Sequence, residues 1–258
     1  DRVSLRDRSG QGHDLEIVAD DPGTVSLQES DSWPVDSALH QLPGEQENTA
    51  AMLFRHRNGP ALLQTPPSPV FARDQFSAMA VVRLDRSEMG LFQAVIGVED
   101  SWALVVEGVG KTSGVLKVLS WNADGAMATA PVGEESQPLV LQVGEEYFVG
   151  VIAGDGQCQL LLQALKGDQL AMLGRGPLAT SLVASAESRL RIGDLDGSAW
   201  WYGLVDNVAY WNRSLELEHL ALLGGAAGVG TEVLQARQGV RQARLHLAGI
   251  SRPVEVAR

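Results

Sequence analysis

The stretch GLVDNVAYWNRSLELEHLALL, residues 203–223, decides the fold class of this chain. Residues 204–210 are apolar at both odd and even positions, a pattern typical of a strand that is covered on both faces. Residues 212–214 then supply turn chemistry and a helix N-cap, and leucines follow at mostly helical spacing. The stretch therefore predicts a buried strand, a turn and a short helix that packs across one end of a sheet.

A second informative stretch opens the chain, SLRDRSGQGHDLEIV at residues 4–18, in which an Asp-x-Ser-Gly-x-Gly loop leads into a strand. The two stretches resemble the N-terminal and C-terminal signatures of the laminin-G-like, concanavalin-A-like jelly rolls. The resemblance implies an all-β fold, a two-sheet antiparallel jelly-roll sandwich with a short helix after the last signature strand. Since the signatures bracket most of the chain, residues 1–228 are predicted to form one domain and residues 229–258 a C-terminal extension or linker.

The sequence between the two signatures indicates further strands. In residues 76–83, Phe76 and every second residue to Val82 are apolar and alternate with a more mixed set. Asp155 and Gly156 predict a hairpin turn. Strands are also predicted at residues 91–98, 102–107, 115–121, 139–143, 147–153 and 159–164. Strands at such regular spacing, without long helical patterns between them, favour a β-sandwich.

Composition excludes several classes of function. The chain has 258 residues, 45% of them hydrophobic, which is enough for one large core. Its net charge of −12 argues against nucleic acid and anionic membranes as partners, because both attract basic surfaces. No apolar run approaches the roughly 20 residues that span a bilayer, so no membrane span is predicted. Cys158 is the single cysteine, and its apolar surroundings predict a buried strand thiol.

The motifs of catalysis are missing from the sequence. Retaining glycosidases place two carboxylates about 5 Å apart across the scissile bond. Glu99 and Asp100 are adjacent, so within a strand they would point to opposite sides, and only Asp194 and Asp196 have the spacing to face one way. The five histidines are scattered, and neither a zinc cluster nor a phosphate-binding glycine loop occurs. The chain is therefore predicted not to be an enzyme.

Aromatic residues next to acids or amides are the candidate ligand-binding groups, because sugars stack on rings while carboxylates and amides hold their hydroxyls. Two such pairs stand at predicted strand ends, and three consecutive aromatic residues at 200–202 must project at least one ring outward. The alternative interpretation is that these tryptophans fill the core. The predicted ligand-binding residues are Asp100, Trp102, Trp121, Asn122 and Trp201.

The resemblance also implies one structural Ca²⁺, with Asp206 on the last strand as a ligand and the loop around Asp7 supplying the rest. Calcium tolerates such irregular all-oxygen coordination. The alternative is that Asp206 only hydrogen-bonds this loop and ties the two chain ends together. Asp194 and Asp196 form a second oxygen-rich loop, for which an ordinary turn is the other interpretation.

These observations lead to one expected function and two alternatives. The resemblance, with no catalytic motif, implies a recognition module for carbohydrate binding or adhesion in a secreted or surface-attached bacterial protein, at an extracellular, cell-surface or periplasmic location. The first alternative is a protein-interaction or assembly module, which a flat apolar patch would favour. The second is a diverged glycoside hydrolase or polysaccharide lyase, which two carboxylates across a cleft would favour.

Overall fold

A computed structural model describes residues 5, 11–19, 24–29, 50–55, 61–71, 73–131, 138–165, 171–179, 182–183 and 185–220. The strands in these residues are, in chain order, β1 (Glu16–Ala19), β2 (Val25–Glu29), β3 (Ala50–Arg55), β4 (Ala61–Gln64), β5 (Phe76–Leu84), β6 (Phe92–Val98), β7 (Trp102–Gly108), β8 (Ser113–Trp121), β9 (Met127–Ala130), β10 (Val140–Gln142), β11 (Glu146–Gly154), β12 (Gln157–Ala164), β13 (Met172–Pro177), β14 (Leu190–Ile192) and β15 (Tyr202–Trp211).

The strands form two antiparallel sheets. Sheet A has the order β1-β4-β14-β6-β7-β8-β10, with β9 also paired to β8, and sheet B has the order β13-β12-β11-β5-β15-β3-β2. The two sheets enclose one continuous apolar core, which confirms the predicted all-β sandwich. Among the described residues, no helix is long and apolar enough to cross a membrane.

The central strand β5 shows why the sequence forms this sandwich. Its residues Ala78 and Val82 face the core between the sheets, whereas Met79 and Val81 belong to a second apolar cluster. That cluster lies on the other face of sheet B, since neighbouring residues of a strand point to opposite faces. The strand is therefore apolar at both odd and even positions, because both of its faces are covered.

The segment after β15 supplies that second cover. Leu215, Leu217 and Leu220 pack on the outer face of sheet B, and residues 217–220 form a short helical turn. The turn lies over the face of the sheet, not across its end as predicted. The predicted N-cap at residues 212–214 is also wrong, because the helical turn begins only at residue 217. The Ser214 hydroxyl instead donates a hydrogen bond of 2.5 Å to the Ala153 carbonyl of β11.

Other sequence predictions can be compared with the strands directly. Each internal strand predicted from the sequence is present, with ends that differ by one or two residues. The hairpin between β11 and β12 turns at Asp155 and Gly156, both with positive φ (53° and 69°), as a two-residue turn requires. Residues 229–258 and Asp7 lie outside the described residues.

Candidate functional site

Trp102 is fully buried, so its ring presents no face to a ligand. It stacks on Phe76 with ring centroids 4.1 Å apart, and its relative exposure is 0%. Its indole N–H donates a hydrogen bond of 3.0 Å to the Phe71 carbonyl. The prediction that Trp102 binds ligand is therefore wrong, because the ring points from the first residue of β7 into the core between the sheets.

Trp201 is buried in the same way. Its relative exposure is 0%, and its indole N–H donates a hydrogen bond of 3.2 Å to the Leu204 carbonyl. The prediction for Trp201 is wrong for the same reason as for Trp102. Its neighbour Trp200 is partly exposed and donates its indole N–H to the Gly197 carbonyl at 2.7 Å. The partly exposed rings of residues 200–202 are thus those of Trp200 and Tyr202, and not that of Trp201, which was selected from the sequence.

The other three predicted residues meet at one end of sheet A. Asp100 lies in the turn between β6 and β7, where it is exposed and has a φ of 59°. The Trp121 amide at the end of β8 donates to the carbonyl of Ser101 in this turn at 2.8 Å. Asn122 follows and forms an isolated antiparallel bridge with Leu182. Pairing of β6, β7 and β8 therefore brings these residues together.

Trp121 and Asn122 differ in what they offer a ligand. Trp121 is partly exposed and packs on the outer face of sheet A beside Leu119, so part of its ring is open to solvent. Asn122 uses its side-chain oxygen to accept hydrogen bonds from the amides of Asp124 (3.1 Å) and Ala126 (2.8 Å). Asn122 therefore shapes the turn between β8 and β9, and Trp121 is the available ring.

Asp100 also lines a surface pocket of about 260 Å³, which we call the rim pocket; Trp121 and Asn122 are not among its lining residues. The β6–β7 turn lines it together with Val183 and with residues 185–191, which lead into β14. Its polar lining includes Glu99, Asp100, Ser185, Glu187, Arg189 and Arg191. The expectation that Glu99 and Asp100 point to opposite sides of a strand is wrong, because both lie in a turn and line one pocket.

The two arginines of the rim pocket are held by protein acceptors. Arg191 pairs with Glu99 and also donates to the carbonyl of Leu195. Arg189 donates to the Thr65 carbonyl at 3.3 Å and lies 3.9 Å from Glu16. These contacts anchor residues 189–191 to sheet A and hold one wall of the pocket in place.

Sequence reasoning missed Glu187, Arg189 and Arg191 of the rim pocket. They lie far along the chain from the β6–β7 turn and carry no motif. Only the pairing of β14 with β6, in which Arg191 lies opposite Gly97, brings them to it. No local sequence signal could have identified them.

Asp194 is a buried carboxylic acid outside the pocket. Its Oδ1 accepts hydrogen bonds from the amides of Leu195 (2.7 Å), Gly197 (3.2 Å) and Ala199 (3.3 Å). Its Oδ2 is buried and has no hydrogen-bond partner within the described part of the chain. Burial raises the pKa of Asp194 above its usual value. The carboxyl organises the loop over the outer face of sheet A.

This burial gives stability a pH dependence. Between the usual aspartate pKa, about 3.9, and the raised pKa of folded Asp194, the folded state binds more protons than the unfolded state. Stability therefore falls as pH rises through this window, and the loss remains at higher pH. We expect Asp194→Asn, which cannot ionise, to gain stability relative to the wild type as pH rises. Urea unfolding of both proteins from about pH 3.5 to about pH 8 measures this difference, and a constant difference would contradict the prediction.

The predicted calcium ligands fall partly outside the described residues. Asp206 is half-buried in β15, opposite Val81 of β5, and a bulge follows at Asn207, whose φ is 49°. The described residues contain no group of three or more His, Cys, Asp or Glu side chains that could hold a metal ion. A calcium site at Asp206 would therefore depend on backbone carbonyls and on the Asp7 loop.

Cys158 is a buried thiol in β12, as predicted. Its exposed fraction is negligible, and desolvation raises its pKa to about 12. A thiol with such a pKa carries almost no thiolate at neutral pH, and thiolate is the nucleophilic form. Cys158 is therefore a core residue.

The sequence matches no protein-family model and no curated protein, whereas the fold has clear structural relatives. The enzymatically active domain of tailspike protein 2 from bacteriophage CBA120 superimposes with a TM-score of 0.55 and 12% identity, over 87% of this chain and 32% of that one. The binding domain of Paraclostridial Mosquitocidal Protein 1 superimposes with a TM-score of 0.53 and 10% identity, over 84% of this chain and 48% of that one.

A third structure matches over nearly its whole length. It is domain 4 of AbnA, a GH43 extracellular arabinanase from Geobacillus stearothermophilus, in complex with arabinotriose. Its TM-score is 0.54 with 12% identity, over 85% of this chain and 92% of that one. The chain spans less than half the length of the tailspike chain and of the mosquitocidal-protein chain. At these identities the likeness shows a shared jelly-roll fold, which hosts unrelated functions.

Proposed function

We propose that this chain is a non-catalytic carbohydrate-binding module and that the glycan binds in the rim pocket beside Trp121. The observation that carries the proposal is that carboxylates and serine hydroxyls line the rim pocket, while Trp121 is partly exposed at the same end of sheet A, with its amide bonded to the Ser101 carbonyl next to Asp100. A ring for the apolar face of a sugar, with polar groups for its hydroxyls, is what sugar recognition requires. Such a module fits an extracytoplasmic protein, and its resemblance to laminin-G-like domains supports the same role.

The structural relatives support this proposal without deciding it. One is a binding domain, and another is a domain of an arabinanase in complex with arabinotriose. The tailspike relative is described as enzymatically active, so the fold is compatible with catalysis as well. The choice between binding and hydrolysis therefore rests on the rim pocket itself.

The pocket favours binding over hydrolysis. Glycosidases use a general acid whose proton is retained by burial, next to a second carboxylate. Asp100 and Glu187 are both exposed, and Glu99 is paired with Arg191. No described carboxylate of the pocket has the environment of a general acid. Release of reducing ends from any glycan that binds would contradict a non-catalytic role.

The test is a glycan array followed by titration calorimetry on the bound class. We expect Trp121→Ala to weaken binding by about tenfold, because it removes the stacking surface, which corresponds to about 1.4 kcal/mol. Trp211→Ala is the matched control, since Trp211 packs on the outer face of sheet B, away from the pocket. Equal affinity of the wild type and Trp121→Ala would place the glycan elsewhere.

A protein-interaction role has one observation in its favour. At the opposite end of sheet A, the exposed side chains of Met89, Leu91 and Val109 lie on two loops joined by a 2.8 Å hydrogen bond from the Gly90 amide to the Gly108 carbonyl. Exposed apolar side chains that cluster in this way mark contact surfaces. If the array binds no glycan, sedimentation velocity of the wild type and Met89→Glu tests whether this surface drives self-association.

The structural Ca²⁺ also remains a proposal. If Asp206 is a ligand, millimolar Ca²⁺ raises the unfolding temperature relative to a chelator, and Asp206→Asn removes the increase. If Asp206 only ties the chain ends together, the substitution lowers the unfolding temperature equally in Ca²⁺ and in chelator.

A further inference from the structure

We infer that the rim pocket selects glycans that carry no carboxylate or sulfate, an inference that rests on the proposed function and names its ligand class. The first observation concerns Asp100 and Glu187. Both are exposed carboxylates that line the pocket, and neither has a hydrogen-bond or ion-pair partner for its side chain among the residues that the structure describes. Each is available to accept hydrogen bonds from a ligand.

The second observation is that both arginines of the rim pocket already contact acceptors of the protein. Glu99 neutralises Arg191, whose guanidinium also donates to the Leu195 carbonyl. Within the described part of the chain, the Nε of Arg191 is buried without a hydrogen bond, so an anion from solvent could reach it only after the side chain moved. Arg189 donates to the Thr65 carbonyl and lies near Glu16. Arg191 therefore lacks the open bidentate geometry that captures a sugar carboxylate, and Glu16 offsets part of the charge of Arg189.

The two observations fix what the pocket offers a sugar. Three carboxylates and two arginines line it, and the carboxylates without partners are acceptors only. A neutral sugar satisfies them, because its hydroxyls donate charge-assisted hydrogen bonds. A uronate or a sulfated sugar brings a like charge to the same place, and a chain with a net charge of −12 adds repulsion at longer range.

The expected selectivity can be given as a ratio of affinities. We expect an anionic glycan to bind at least about tenfold more weakly than its neutral counterpart at low ionic strength. Because Asp100 and Glu187 are exposed, mobile ions screen their repulsion. The ratio should therefore shrink when salt is raised to about 0.5 M, where the Debye length falls to a few ångströms.

The test uses one polymer in two charge states. A neutral polysaccharide found on the array is compared, by calorimetry, with the same polymer after its primary hydroxyls are oxidised to carboxylates. The key variant is Asp100→Asn/Glu187→Gln, which keeps the size of both side chains and removes both charges. Asparagine also tolerates the left-handed backbone at position 100, so the turn is preserved.

The control variant removes two carboxylates from the other end of the sandwich. Glu88 lies in the loop that precedes β6, and Glu145 precedes β11, where the adjacent Gly144 amide bonds to the Leu84 carbonyl. Glu88→Gln/Glu145→Gln therefore makes the same change in net charge away from the rim pocket. We expect the neutral-to-anionic ratio to fall below about threefold in Asp100→Asn/Glu187→Gln and to stay near the wild-type value in the control.

The outcomes separate this inference from the proposed function. The inference is supported if the neutral polymer binds about tenfold or more tightly than the oxidised polymer, and if only Asp100→Asn/Glu187→Gln lowers this ratio. Equal or tighter binding of the oxidised polymer overturns it and leaves carbohydrate binding standing. If both variants lower the ratio, or if neither does, the selectivity does not come from Asp100 and Glu187, and the inference is overturned. No binding of any glycan overturns the proposed function and the inference together.

Discussion

Replacing Trp102 by alanine should remove a large share of the stability of the domain. Its ring is fully buried, stacks on Phe76 at 4.1 Å and lies 6.0 Å from the Tyr210 ring. Truncating a buried tryptophan costs about 3–5 kcal/mol, and the Phe71 carbonyl also loses its indole donor. Single domains of this kind are stable by only about 5–15 kcal/mol. We therefore expect a large fall in the urea midpoint of unfolding.

Trp121→Ala is the matched control for this prediction. Trp121 is partly exposed at the end of β8, so its removal should cost about 1 kcal/mol or less. The two variants should thus separate stability from ligand binding, since Trp102→Ala lowers the free energy of unfolding and Trp121→Ala lowers glycan affinity. Wild-type stability of Trp102→Ala would show that the ring is not in the core.

Replacing Gly203 by alanine should be about as destabilising. Gly203 begins the buried part of β15 with a φ of 149°, a conformation that side chains rarely adopt. A Cβ at this position would lie 1.9 Å from the Arg83 carbonyl oxygen of β5 and 3.0 Å from the Asp85 amide. Both strands must separate to admit it, which weakens the hydrogen bond from the Asp85 amide to the Tyr202 carbonyl.

We expect Gly203→Ala to lower the free energy of unfolding by about 4 kcal/mol or more, a loss that single substitutions cause only when they disrupt a specific structural feature. Gly197→Ala is the control, because Gly197 also has a positive φ, 85°, but a Cβ added there would meet no atom within 4 Å. This variant incurs only the left-handed strain, about 1–2 kcal/mol. Thermal and urea unfolding of both variants measure the difference, and equal losses would show that the close approach to β5 is not what requires glycine.

The strands could be predicted from the sequence because their causes are local. Each signal reflects the geometry of a few consecutive residues: the alternation of apolar residues in β5, the apolar residues at odd and even positions of β15, and the Asp155-Gly156 turn. The predicted helical turn is present, but its place was wrong. Its three leucines cover the face of sheet B, which depends on the neighbouring strands and not on the turn.

The site was predictable only in part. Asp100, Trp121 and Asn122 were selected because an aromatic or polar residue at a strand end is visible in the sequence, and the structure places all three at one end of sheet A. Trp102 and Trp201 fit the same local pattern and are buried. For Trp102 the deciding factor is strand direction: β7 begins at this residue with its side chain turned toward sheet B, whereas Trp121 ends β8 on the opposite face.

By itself, the sequence determined the strand pattern, the hairpin turn and the buried character of Cys158, since each follows from residue type and spacing along one segment. The regular succession of strands and the resemblance to laminin-G-like jelly rolls indicated the fold class. Only the tertiary structure decided which tryptophans face solvent and which charges share the rim pocket. Exposure depends on what another segment covers, and the pocket joins the β6–β7 turn to residues 185–191 through strand pairing across a long separation in the chain. Such contacts are set by how the sheets assemble, and no local pattern encodes them.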